Sequence, residues 1–198
     1  MFDSNYNPSI YFAGKIWNNL KGRDLRDEHG FNVQTRWINH ECGVKGQQTG
    51  AKIFTEEEKQ GLWWTCAEDT TNADMVLVYA EQDDEMRGAL VEMGMAMGAS
   101  MERIKVGKPP IPIYIVGTCK SFQVNAISDV AFMRFKFVHK LEVHQFEDGS
   151  FDVLNGAKEA RNHYLSTYHT PEHVFRKTGF LARAASSERG FHNSPAFT

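Results

Sequence analysis

The chain has 198 residues, 41% of them hydrophobic, and its 22 basic and 25 acidic residues give a net charge of −3. This length predicts one domain of ordinary size, and the interspersed charges argue against nucleic-acid binding through phosphate neutralisation. No apolar run approaches a membrane-spanning helix and residues 1–8 are unlike a signal peptide, so we expect no membrane partner. The three cysteines form no CxxC pair, which indicates reduced thiols in a cytoplasmic protein rather than disulfides or a zinc site.

The apolar pattern predicts strands that alternate with helices. Thr55, followed three residues later by Glu58, predicts a helix start with a capping box. In chain order we expect a strand over 9–14, a helix over 15–28, a strand over 31–38, a helix over 55–72, a strand over 74–80, a helix over 89–101, strands over 111–116 and 135–143, and a helix over 152–164.

This order predicts an α/β fold: a single-domain, Rossmann-like (flavodoxin-like) parallel sheet of about five strands with helices on both faces. We expect residues 1–168 to form the domain. Residues 169–198 show no clear period, and we expect them to form a tail docked on the domain or on a partner subunit.

Glu92 is the one charged residue in the predicted helix over 89–101. A carboxylate among apolar residues is costly unless something compensates it. Glu92 lies about one turn after Gly88, near the predicted helix start, where N–H groups and the helix dipole favour negative charge. The preceding strand ends where open α/β sheets bind ligands. Glu92 is therefore the candidate active centre; the alternative is a structural acid that caps a neighbour or pairs with a buried arginine.

The remaining sequence patterns do not indicate a second functional site. Gly94 and Gly98, four residues apart, predict close packing of the helix on the sheet. The chain has no GxxxxGK[ST] loop, no GxGxxG after a strand and no GxSxG, so nucleoside triphosphate binding, ordinary dinucleotide binding and a hydrolytic triad are not supported. Pro171 disrupts the helix that would align the late histidines 163, 169 and 173, so we expect no metal site there. We also expect no organic cofactor.

Three stretches together resemble the nucleoside 2-deoxyribosyltransferase family: IYFAG ending at Gly14, NADMVLVYA over 72–80 and RGALVEMGMAMG over 87–98. The family's helix pattern, G-x-x-x-E-x-G-x-A, is matched by Gly88, Glu92, Gly94 and Ala96. The likeness covers roughly residues 9–116, and it implies that residues 1–168 are a domain of this type.

The resemblance implies roles for several residues. Glu92 would be the nucleophile that attacks the anomeric carbon of a 2-deoxyribosyl group, as in retaining glycosidases, and Tyr11 would position it; the alternative for Tyr11 is a core aromatic. The turn of Ala13, Gly14 and Lys15 would bring backbone N–H groups to the substrate. The charge and place of Lys15, rather than the resemblance, suggest that it neutralises a 5′-phosphate.

The acid that protonates the departing base is less clear. Family members place an aspartate on the helix before the third strand. Here the acid is Asp69, whereas the commoner spacing falls on Cys66. Many relatives also have Asp or Ser six residues before the nucleophile, where this chain has Met86. Asp84, in the acidic loop over 83–85, is the other candidate for assisting the base, and the alternative for that loop is a solvated surface.

Further substrate contacts are expected from Gly88, at the helix start, and from Trp37, which would stack on a base unless it caps the core. Asn125 resembles a late asparagine that family members donate across a subunit boundary, so we expect a homo-oligomer, a dimer or higher.

The implied function is cleavage of the N-glycosidic bond of a (deoxy)nucleoside or its 5′-monophosphate, with transfer of the sugar to another base or to water. One alternative is hydrolysis of another nucleotide glycoside, such as nicotinamide dinucleotide. The other is a non-catalytic nucleotide-binding module. Fold alone does not choose among them.

Overall fold

The computed structural model of the chain describes residues 6–40, 55–81, 85–118 and 135–169. They form an α/β structure with a four-stranded parallel sheet and helices packed against it. The elements in chain order are β1 Ile10–Ala13, α1 Asn19–Asp27, α2 Glu56–Asn72, β2 Met75–Ala80, α3 Arg87–Lys105, β3 Ile113–Gly117, β4 Val138–Leu141 and α4 Val153–Thr167, with short 3-10 helices at Ile16–Asn18 and Arg36–Asn39.

The strands lie side by side in the order β1-β2-β3-β4, and every neighbouring pair is parallel. Every residue of β1, β2 and β3 is buried. This is the expected state of parallel strands covered on both faces, which need near-continuous apolar sequence. The IYFA, MVLVYA and IYIVG runs meet that requirement.

The predicted strand over 31–38 is reduced to a single parallel bridge between Val33 and Ile10. The reason lies at the next position of β1. The backbone N–H of Phe12 donates to the Thr35 hydroxyl, and its carbonyl accepts from the Trp37 indole N–H at 3.1 Å. These side chains occupy the groups that a second strand would pair with, and the backbone turns into the 3-10 helix Arg36–Asn39.

Alternate residues of the strands face two different helix layers. On one face, Phe12 contacts Gly22 of α1, and Tyr114 is hydrogen-bonded to His163 of α4 at 2.9 Å. On the opposite face, Tyr11 lies against α2 and α3. Helices therefore cover both faces of the described sheet.

Helix starts follow the local signals. Thr55 and Glu58 form the predicted capping box at the start of α2, and Asp152 caps α4 by accepting from Asn155 N–H at 2.9 Å. The prediction for Gly94 and Gly98 is wrong: both are exposed, and no atom lies within 4 Å of a Cβ built on either.

The close helix–sheet contact falls instead on Gly156 of α4. A Cβ built there would lie 2.5 Å from the side chain of Val116, so only a glycine fits without displacing a neighbour.

The predicted tail lies outside the described residues except for His169, whose ring stacks on Tyr6 at 4.1 Å between centroids. Within the described ranges, no helix combines the length and the apolar character needed to cross a bilayer.

Candidate active site

Glu92 lies on the inward side of α3, the helix that follows the carboxyl end of β2. Ala89, Met93 and Ala96 on the same side are buried and hold the helix against the sheet, leaving Glu92 only 6% exposed. Glu92 is the sixth residue of α3. It therefore lies beyond the first turn and its free N–H groups, and the compensation predicted from the helix start does not reach the carboxylate.

Three elements bring polar side chains together at this point. Tyr11 from β1, Cys66 from α2 and Glu92 from α3 lie close enough to perturb one another's ionisation. The Tyr11 hydroxyl and Oε2 of Glu92 are buried, and among the described residues neither has a hydrogen-bond partner of good geometry. Buried polar atoms nearly always have partners, so this pair is a candidate contact for a ligand.

Burial controls the ionisation of the group. It raises the pKa of Glu92 to about 7, and the Tyr11 hydroxyl and the Cys66 thiol act in the opposite direction by favouring the carboxylate. Burial also raises the pKa of Cys66 to about 12 and that of Tyr11 well above its usual range, with the negative charge of Glu92 adding to the effect. At neutral pH the site therefore holds two protonated donors beside a carboxyl group near the midpoint of its titration.

The sequence prediction that Tyr11 adjoins Glu92 agrees with this geometry. Gly88 lies one turn before Glu92, at the start of α3, and a Cβ built there would be 3.8 Å from the ring of Trp63. Trp63 is on α2, one turn before Cys66, and is 44% exposed. Sequence reasoning missed this aromatic, although its spacing of three residues from Cys66 places both on one side of a helix.

In the turn after β1, the backbone passes close to the carboxyl end of β2. Ala13 is buried, and a Cβ built on Gly14 would lie 3.3 Å from the carbonyl oxygen of Tyr79 on β2. Lys15, however, extends over the ring of Trp17, with Nζ 4.8 Å from the ring centroid. In this structure its charge is directed to an aromatic face, and its role with a phosphate stays a prediction.

Asp69 is bound to Arg36 and is not directed at Glu92, as a proton donor for the reaction would be. Its Oδ2 accepts from the backbone N–H of Arg36 at 2.8 Å, and its Oδ1 accepts from Nε of Arg36 at 2.7 Å. Arg36 also reaches Glu68 at 2.9 Å. This is an ion pair that anchors the 3-10 helix Arg36–Asn39 to α2. The α2 residue beside Glu92 is Cys66.

Trp37 is buried, with its ring tilted against Phe12 and its indole N–H bonded to the Phe12 carbonyl. The structure thus gives Trp37 the alternative role, an aromatic that closes the edge of the core, and its ring offers no free face for a base. Asp84 and Asn125 lie outside the described residues.

A second acid, Glu81, follows directly after β2 and was not singled out from the sequence. Its carboxylate accepts from the Tyr79 hydroxyl at 3.1 Å and lies 3.9 Å from Nζ of Lys21. The Tyr79 hydroxyl in turn accepts from the backbone N–H of Phe151 at 3.1 Å. The signal available in the sequence was an acid immediately after a buried strand.

In the part of the chain that the structure describes, no three His, Cys, Asp or Glu side chains converge as a metal site. His163 is instead paired with Tyr114, and His173 lies outside this part.

Fold and site together define an α/β protein with a buried, partly unpaired carboxylate beside the carboxyl edge of a parallel sheet. Comparison of the chain with protein-family models, with curated proteins and with solved structures gives no match.

Proposed function

We propose that this protein cleaves the N-glycosidic bond of a (deoxy)nucleoside or a nucleoside 5′-monophosphate and transfers the sugar to another base or to water. The observation that carries the proposal is the buried Glu92 carboxyl group, whose Oε2 lacks a hydrogen-bond partner among the described residues and whose pKa burial raises to about 7. A reactive carboxylate needs a free oxygen and a dry surrounding, and perturbed groups of this kind concentrate at functional sites.

The sheet supports the same location. The segment with Val33 lies outside β1, and counting it as a fifth strand gives the spatial order 2-1-3-4-5 of a flavodoxin-like sheet. In such sheets ligands bind beyond the carboxyl ends of the strands, where the turn at Gly14 and the start of α3 lie. The resemblance of the first strand and of α3 to nucleoside 2-deoxyribosyltransferases points to the same chemistry.

The reaction would proceed in two displacements. Ionised Glu92 attacks the anomeric carbon, and an ester bond forms as the bond from carbon to the base nitrogen breaks. The base leaves with that electron pair and takes a proton from an acid. A nitrogen of a second base, or the oxygen of water, then attacks the same carbon, expels the Glu92 carboxylate and returns a proton to the acid's conjugate base.

The neighbours of Glu92 divide this work. The Tyr11 hydroxyl and the Cys66 thiol are both protonated at neutral pH, and they lie beside the carboxyl group and favour its ionised form. Asp69 is engaged with Arg36 through both oxygens, so the acid that we propose for the leaving base is Asp84. Trp63, exposed beside Gly88, replaces Trp37 as the proposed surface for the base.

A second candidate function is a non-catalytic nucleotide-binding module. Two observations favour it: Asp69 is held in an ion pair, and Met86, at the position where relatives have an acid or serine, is buried and carries no transferable proton. Hydrolysis of nicotinamide dinucleotide is the remaining enzymatic alternative.

Chromatography separates these functions. The purified protein is incubated with deoxynucleosides, ribonucleosides, their monophosphates and nicotinamide dinucleotide, each with and without a free acceptor base. We expect base release or exchange with one substrate class, lost in Glu92→Ala and Glu92→Gln and retained in Glu102→Gln, which changes an exposed acid of the same helix.

Acid quenching during turnover followed by mass spectrometry should detect a sugar ester on the peptide that contains Glu92. Turnover that survives in both Glu92 variants contradicts the proposal. Thermal stabilisation by a nucleotide without any turnover supports the binding module.

A further inference from the structure

Two histidines and two tyrosines form a cluster of rings where the end of α4 packs on the sheet. His139 lies on β4 and Tyr114 on the neighbouring strand β3, while His163 and Tyr168 lie in the last turns of α4. The imidazole rings of His139 and His163 are 4.4 Å apart between centroids, and the ring of Tyr114 stacks on His139 at 5.1 Å. The cluster therefore joins the edge strand of the described sheet to the helix that precedes residues 169–198.

A tyrosine hydroxyl holds each imidazole in place. Nδ1 of His163 lies 2.9 Å from the hydroxyl oxygen of Tyr114, and Nε2 of His139 lies 2.8 Å from that of Tyr168. The Tyr168 hydroxyl donates to the carbonyl oxygen of Lys136 at 3.3 Å, so its oxygen accepts from an N–H at Nε2 of His139. These bonds keep the two rings side by side, and a charge on either ring would lie against the other.

The charges around His139 disfavour its protonated form. The titratable groups near it are three that face it from β3 and α4 and two lysines with exposed side chains: Tyr114, Tyr168, His163, Lys136 and Lys140. Burial raises the pKa of both tyrosines, so neither carries a negative charge at neutral pH. Among the described residues only His163 acts on the ionisation of His139 through its charge, and it acts against protonation.

Both histidines are therefore neutral near pH 7. Burial, with the charge of His163 adding to it, lowers the pKa of His139 from 6.5 to about 4. Burial also lowers the pKa of His163. A group whose pKa is lowered by folding stabilises its contact above its ordinary pKa, and this stabilisation is lost as the pH falls.

We propose that this histidine pair is an acid-sensitive contact, whose protonation detaches the end of α4 from β4 while the centre of the sheet stays folded. The place of the pair in the fold supports local opening, because β4 has only one neighbour, β3, in the described sheet. Edge elements of this kind open more easily than central strands. Since residues 169–198 follow this end of α4, the contact also controls how firmly the last part of the chain is attached.

The size of the effect follows from the two pKa values of His139. The closed contact has a pKa of about 4, and an open contact that water reaches has the ordinary value of about 6.5. The opening equilibrium should therefore increase about 20-fold from pH 7 to pH 5, because the open form binds the proton more tightly. His163 acts in the same direction.

Hydrogen exchange of the full chain, followed by mass spectrometry at pH 7 and pH 5, measures this opening. Protection factors correct for the effect of pH on the intrinsic exchange rate. In peptides that cover residues 138–141 and 163–168, we expect protection to fall by about 20-fold or more at pH 5. Peptides from β1 and β2 should keep their protection. The result does not depend on the proposed function, because Tyr114 lies on the sheet face opposite to Tyr11 and Glu92.

Two substitutions remove the titration of His139 in different ways. His139→Phe keeps a ring against Tyr114, and His139→Gln keeps a hydrogen-bonding group beside Tyr168. In both variants the fall in protection should shrink to the part that His163 contributes, and His139→Phe with His163→Phe should abolish it. His144→Phe is the matched control. His144 is exposed shortly after β4, with its ring against Phe146 at 5.0 Å, so this variant should keep the wild-type response.

Protection at the end of α4 that is the same at pH 7 and pH 5 would overturn the proposal. An equal loss of protection in β1 and β2 would also overturn it, since the opening would then be global. So would a full pH response in both His139 variants.

Discussion

Glu92→Gln separates the ionisation of the buried carboxyl group from any catalytic role. Burial raises the pKa of Glu92 from 4.5 to about 7, so the folded chain binds a proton more tightly than the unfolded chain. Between these two values the unfolded state holds fewer protons, and stability falls as the pH rises. At 1.36 kcal/mol per pKa unit, the ionised carboxylate costs about 3 kcal/mol at pH 8 and less than about 1 kcal/mol at pH 5.

Glutamine has no charge to bury. We therefore compare the free energy of unfolding of Glu92→Gln with that of the wild type at each pH. Between pH 5 and pH 8 this comparison should shift in favour of the variant by about 2.5 kcal/mol. Urea unfolding followed by circular dichroism at both pH values measures it. The pKa of His139, which burial lowers to about 4, also makes stability depend on pH, but equally in both proteins, so its effect cancels.

Glu102→Gln is the matched control. Glu102 is exposed on the same helix and pairs only at the surface with Lys105, so its replacement should change stability by less than about 0.5 kcal/mol at either pH. If Glu92→Gln shows the same difference from wild type at pH 5 and pH 8, the carboxyl group has an ordinary pKa, and the reasoning from burial fails.

Three further predictions follow from the contacts. If ionised Glu92 is the nucleophile, kcat/KM should rise with pH through about 7; a pH–rate profile that falls there would make Glu92 a general acid instead. Asp69→Asn should lower the free energy of unfolding by less than about 1 kcal/mol, because the charge attraction to Arg36, whose side chain is 53% exposed, is lost; unchanged stability with a large loss of turnover would restore Asp69 as the catalytic acid. Gly156→Ala should destabilise the protein by about 1–2 kcal/mol in urea unfolding, since its Cβ overlaps Val116 and the resulting strain exceeds the gain in helix propensity; equal or higher stability would show that the contact relaxes.

The sequence was sufficient for the elements whose cause is local or periodic. Continuous apolar runs of four to six residues gave β1, β2 and β3, because parallel strands are buried on both faces and tolerate few polar residues. The start of α2 followed from Thr55 and Glu58, which interact across one turn of the same helix. The order of elements then predicted parallel pairing, because each helical crossover brings the chain back to the end of the sheet at which the previous strand began.

The tertiary structure decided what depends on contacts between distant segments. The alternation over 31–38 suggested a strand, but Thr35 and Trp37 bond to Phe12 and end the pairing. The glycine spacing on α3 suggested a face against the sheet, yet the buried side of that helix is set by what lies beneath it. The spacing of residues along a helix shows which of them share a face, but it does not show whether that face packs on the sheet or is exposed.

The site shows the same division. Glu92 could be singled out from the sequence, because a lone acid in an apolar helix needs a reason to be there. Its surroundings could not. Cys66 adjoins Glu92 whereas Asp69, three residues later on α2, faces Arg36. A helix turns by about 100° per residue, so this difference depends on how α2 is rotated against the sheet, and that rotation is fixed only when the whole core packs.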